Sequence, residues 1–302
     1  IIGGCSSQPE LFDLLTRSQA IPTSSIKLTP KKDKHPPILH SNQWTKPIPL
    51  VNQINTAGAE DSPFITPDGN TLYFFFTPDV KIPAEKQVTD KATGIYVSKK
   101  TNNQWAEATR VVLQKPNKLS LDGCAFVQNN YIWFCSAREG YTGLHWFKSK
   151  LGENQYKNWK QLAGKFVDYK VGELHINSAG NKLYFHSDRN GGKGKYDIWV
   201  SEKQNDQWQE PINISIINSS ETDGWPFVSE DEKELWFTRT HKGTPAIFRS
   251  LNKNGRWQKP ELIISQFAGE PSLDKNGNLY FVHHYYDNGK MLEADIYIAY
   301  KK

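Results

Sequence analysis

The sequence predicts an all-β fold, a five-bladed β-propeller of four-stranded antiparallel blades. Three observations predict it: a four-run meander, its recurrence along the chain, and the phase at which the recurrence starts and stops. The clearest meander is residues 172–213. Leu174–Ser178 alternates apolar and polar positions, and Ala179-Gly180-Asn181 is a turn. Leu183-Tyr184-Phe185 is a second run, followed by the Gly-rich loop 188–195 and a third run, Tyr196–Ser201. A polar turn at 204–207 leads to a fourth run, Trp208–Ile214, with Pro211 inside it. Short β-rich runs split by turn residues read as an antiparallel meander. Pro211 suits an edge strand because it cannot donate to a ladder. A four-stranded sheet ending in an edge is the shape of one propeller blade.

Recurrence extends this unit to the chain. The fourth-run tryptophan returns at Trp44, Trp105, Trp159, Trp208 and Trp257. The aromatic pair of the second run returns as Tyr73-Phe74, Trp133-Phe134, Tyr184-Phe185, Trp236-Phe237 and Tyr280-Phe281. The third run returns at 95–98, 144–147, 198–201, 247–250 and 296–299. A β-sandwich has turn rhythm but no period of blade length. Trp44 precedes the first full set, and the last third run ends near Tyr300. The strand near Trp44–Leu50 is therefore expected to complete the blade that Glu270–Tyr300 leaves one strand short. Such closure removes two sheet edges.

The stretches SPFITPDGNTLYF (62–74), NKLYFHSDRNGGKGKYDIWVS (181–201) and GEPSLDKNGNLYF (269–281) resemble the WD40-like repeat of bacterial envelope proteins, the kind found in the TolB propeller. The likeness spans about residues 43–300 and speaks to the repeat rather than to an activity. The second blade departs from it: Gln128-Asn129-Asn130 replaces the Pro-Asp-Gly turn, and Cys124 and Cys135 sit in its strands. The first blade carries an insertion at 78–92.

The remaining sequence sets the setting. The chain has 302 residues, 37% of them hydrophobic, enough for one sizeable core. The net charge of +5 and the lack of any basic run beyond Lys31-Lys32-Asp33-Lys34 argue against a nucleic-acid partner. No apolar run reaches membrane-span length. Ile1-Ile2-Gly3-Gly4-Cys5 resembles the lipobox of bacterial lipoproteins, in which the cysteine receives the lipid. That resemblance implies residues 1–5 as lipobox remnant with Cys5 as the attachment site, and a cell-envelope location, with outer-membrane sorting from Ser6. An ordinary buried cysteine is the competing reading. Residues 6–41, rich in Ser, Thr, Pro and Lys, read as a flexible tether, and residues 42–302 as the propeller. Cys124 and Cys135 lie on neighbouring strands, and sequence alone leaves a disulfide and two free thiols equally open. No Cys/His spacing resembles a zinc site, and no cofactor is expected.

In a propeller the first strands line the channel, and binding sites favour the loops that enter them and those that join second to third strands. Two classes of residue are expected there. Recurring acids, Glu60-Asp61, Asp122, Glu173, Asp223 and Glu270, either brace loops through backbone N–H groups or hold a channel cation. Residues that occur once, His175, Trp225, His186, Arg239 and His283, suit a sugar ring or an anionic group: sugar rings stack on Trp, and Arg forks a carboxylate. The expected function is a binding scaffold for a glycan or protein partner. The alternative is a carbohydrate-active enzyme. A lyase would draw its base, donor and cation from His175, His186, Arg189, Arg239 and Tyr285; a glycosidase would need two of the carboxylates.

Overall fold

The structure is a computed structural model that describes residues 14–152, 155–168 and 170–302. Cys5, the expected lipid-attachment residue, lies outside the described residues, as does the start of the expected tether.

Antiparallel meanders follow one another along the chain. The first is Ala59–Ile65, Thr71–Thr77, Gly94–Thr101 and Thr109–Arg110. The second is Ser120–Gln128, Tyr131–Arg138, His145–Lys150 and Lys160–Gln161. The third is Val171–Ile176, Lys182–Ser187, Asp197–Gln204 and Ile212–Asn213. The fourth is Asp223–Val228, Glu234–His241, Thr244–Lys253 and Glu261–Ser265. The last is Ala268–Leu273, Leu279–Asp287 and Lys290–Ala299. Its outer strand is Ile48–Pro49, which pairs Ile48 with Ile298 and Pro49 with Tyr297. The first strand of each meander packs against the first strand of the next, and the last of these packs back on the first. A single parallel pair, Ala59 with Ala294, joins the last meander to the first.

Burial explains the arrangement. Aromatic and β-branched residues fill the middle strands and pack between neighbouring sheets. At the seam the Trp44 indole is buried edge-on against Trp236, 5.3 Å between centroids, and donates to Gly277 O at 2.9 Å. Arg249 and Lys301 cover its ring. Trp44 bridges Lys301, as Trp105, Trp208 and Trp257 pair with Lys100, Lys203 and Asn252. Trp159 breaks this pattern. It stands one residue before its strand rather than four, and lies over Arg138 at 4.5 Å. Its even spacing in sequence is not structural equivalence.

Residues 14–41 differ from the expected free tether, because they dock on the ring. Ile38–Leu39 adds a strand to Glu261–Ser265. Arg17 is buried beside Glu60, and Lys27 reaches Glu293 and Asp295. The prolines confine regular structure here to a four-residue helix, Arg17–Ala20, and that short strand, and the strap's cations meet carboxylates buried in the ring.

Candidate functional site

Each first strand carries a β-bulge, at 61–64, 123–126, 171–174, 224–227 and 269–272. Four bulge residues hold left-handed backbone: Ser62, Cys124, Trp225 and Glu270, with φ of 46°, 52°, 52° and 56°. Non-glycine residues rarely adopt this conformation, and its cost is characteristic of positions that re-aim a side chain. The bulges build two layers on the ring axis.

The first is a carboxylate layer. Ser62, Cys124, Glu173 and Glu270 line a void of about 40 Å³. Ser62 Oγ lies 2.7 Å from Glu173 Oε1 and 2.8 Å from Glu270 Oε2, and Ser62 N donates to Glu270 Oε2 at 2.9 Å. A hydroxyl has one hydrogen. It can donate to one carboxylate, so the other must itself be protonated to close the second contact. Burial, then the neighbouring Asp61 and Glu173 charges, push Glu270 well above the ordinary carboxylate range. Burial first, then Cys124, does the same to Glu173. Asp61 faces His284 across 3.8 Å. Cys124 and Cys135 are free thiols.

The second layer is aromatic. Ring centroids run Phe64 to Phe126 at 5.9 Å, Phe126 to His175 at 5.3 Å and His175 to Phe227 at 4.6 Å. Ser272, buried, holds the corresponding place in the last meander and accepts from Ile65 N at 3.0 Å. These rings floor a cavity of about 680 Å³, walled by the ends of the first strands and the turns that follow them. His175 Nδ1 accepts from Val228 N at 3.2 Å, and burial lowers the imidazole to about 3. A neutral ring whose Nδ1 accepts must carry its hydrogen on Nε2.

The once-occurring residues therefore separate. His175 belongs to the aromatic floor, on the side of the turns into the second strands. The Trp225 and His186 rings meet at 4.8 Å, tilted by 37°, with Trp225 N donating to His186 Nδ1 at 3.0 Å. His186 is wedged against Gly172, where any Cβ would stand 1.7 Å from Nε2, so only glycine fits. Burial holds it at about 3. Arg239 binds Asp223 at 2.5 Å and covers Phe237 and Phe248. Arg189 donates to Phe166 O at 2.9 Å and covers Phe185 and Trp199. His283 is buried against Asp33 at 2.8 Å, and the Tyr285 hydroxyl meets Tyr297 at 2.8 Å in the core. The base, donor and cation set of a lyase does not converge on one pocket.

The recurring acids also divide, by register. Glu60, Asp122 and Asp223 occupy one position, each beside a guanidinium: Arg17, Arg138 and Arg239. Glu173 and Glu270 stand at the bulge, and Asp61 one residue before it. The expected single acidic ring thus becomes structural clamps plus an axial cluster. Among the described residues, no three His, Cys, Asp or Glu side chains are arranged to hold a metal ion. Sequence reasoning missed Ser62, and it missed Arg17 and Lys27. Nothing in a proline-rich segment marks two cations as ring components.

No protein-family model and no curated protein matches the chain. Solved structures do. The catalytic domain of the GH62 α-L-arabinofuranosidase of Coprinopsis cinerea aligns with a TM-score of 0.52 at 10% identity, over 88% of this chain and 98% of that one. An α-L-arabinofuranosidase from Lactobacillus brevis aligns at 0.52 and 11% identity, over 80% of this chain and 90% of that one. TolB from Acinetobacter baumannii aligns at 0.47 and 12% identity, over 83% of this chain, which spans 56% of TolB's length. At such identities the likeness to the two arabinofuranosidases speaks for the fold, and the chain is a β-propeller.

Proposed function

We propose that this chain is a five-bladed propeller, four strands to a blade with Ile48–Pro49 closing the ring, held at a bacterial cell envelope through lipid on Cys5, and that it binds a glycan. The observation that carries the reading is the axial cavity. Its volume, about 680 Å³, is that of a small-molecule site. Its floor offers flat apolar rings with one polar handle, the pattern that stacks a sugar ring and fixes its orientation. The carboxylate layer below has no comparable space, since its void is about 40 Å³.

A glycoside hydrolase is the second reading. Glu173 and Glu270 favour it: two carboxyls bridged by Ser62, at least one of them protonated, supply the residue types of an acid and base pair. The test is calorimetric titration with neutral and acidic oligosaccharides, with product release measured on the same mixtures. Saturable binding without new reducing ends supports the binder. Turnover abolished by Glu173→Gln or Glu270→Gln supports the hydrolase.

A further inference from the structure

We infer that the axial cavity is a blind pocket for the uncharged end of a glycan chain; this rests on the binding reading above and narrows it. Three structural features lead there. First, the pocket has a floor. Phe64, Phe126 and Phe227 are each under 10% exposed, and with His175 they close the axis between the two layers. A polymer cannot thread such a pocket, so only a terminal residue reaches the floor.

Second, the floor presents a single donor. His175 Nδ1 is occupied by Val228 N–H, which leaves Nε2–H as the group that a ligand can meet. Two polar side chains higher in the wall are already engaged. Gln128 Nε2 donates to Asn177 O at 2.8 Å, and Asp274 accepts from the Asn276 and Asn278 backbone at 2.9 and 3.0 Å. An acceptor at the ligand's tip, a ring or hydroxyl oxygen, completes that bond at the floor.

Third, the floor has no fixed cation. Stripping water from a carboxylate costs far more than one neutral hydrogen bond returns. The lysines of the lining, Lys233 and Lys275, are exposed at the rim beside the exposed Glu230 and Asp231 and give no net positive field at depth. An acidic sugar is therefore disfavoured, and a neutral one is selected.

The test uses the whole chain and three kinds of probe: neutral linear tetrasaccharides of glucose, xylose, arabinose and mannose; a cyclic gluco-oligosaccharide, which has no end; and tetragalacturonate. We expect at least one neutral linear probe to bind at least tenfold more tightly than the cyclic and acidic probes. His175→Phe keeps the floor filled and removes the donor; it should weaken that binding at least tenfold. His175→Gln, which retains an N–H donor, should weaken it less. Equal binding of the cyclic or acidic probe, or full affinity in His175→Phe, overturns the blind-pocket assignment while leaving a glycan binder intact. Absence of carbohydrate binding to the wild-type chain overturns the underlying reading as well.

Discussion

The two layers on the ring axis are built from the same bulge in the same strands, yet they have opposite chemistry. At one level Ser62, Glu173 and Glu270 meet in a void too small for a ligand. Just beyond it along each strand, Phe64, Phe126, His175 and Phe227 floor a cavity large enough to hold one. A repeat protein can thus acquire a site by local change alone. The scaffold repeats; what varies is the residue at two positions of one bulge. Left-handed backbone at four bulges turns those residues toward different neighbours.

Merging the two layers physically should have the largest effect. Phe227→Ala removes a ring that is 8% exposed and joins the void to the cavity. A cost of about 3–5 kcal/mol is expected from denaturant midpoints. A loss below about 1 kcal/mol would show that the rings do not pack as a floor.

Glu270→Gln probes the same contrast from the carboxylate side. The Glu270 pKa is raised in the folded chain above its ordinary value of 4.5. Its stabilising contribution is thus complete below that ordinary value and is lost as pH rises toward the folded one. The wild type should become less stable relative to Glu270→Gln between pH 4.5 and neutrality, by at most about 1.4 kcal/mol per pH unit. Pairing the two proteins at each pH cancels the opposite trend from His175 and His186, whose depressed values make acidification below about 6.5 costly in both. Parallel pH profiles for the two proteins would show that Glu270 does not hold its proton more tightly in the folded chain.

Trp225→Ala should do least to ligand affinity. Trp225 belongs with His186 and the bulge level, outside the aromatic cavity. A change of under about twofold in Kd is expected, within the few tenths of a kcal/mol usual away from a site. A tenfold loss would move the ligand to the carboxylate side.

Much of the fold is legible before any coordinates. Trp44 and Tyr300 mark the phase of the repeat, and Ile48 does pair with Ile298. The site is less legible, for physical reasons. A bulge shifts register by one residue without changing composition, so Asp223 and Glu270 read alike although one is a clamp for Arg239 and the other faces the axis. His175 and Trp225 both interrupt apolar first strands, and only the bulge sets them on different levels. The strap is opaque for another reason: Arg17 and Lys27 act through carboxylates far away in sequence, Glu60 and Asp295, and no local pattern announces such partners. Burial raises Glu60 to about 8, and Arg17 offsets that burial.

The most direct measurement is a crystal structure of the wild-type chain soaked with the tightest-binding neutral tetrasaccharide. A terminal sugar is expected over Phe126 and Phe227, with an oxygen at hydrogen-bond distance from His175 Nε2. Sugar density against Trp225, Glu173 and Glu270, with the aromatic cavity empty, would contradict it.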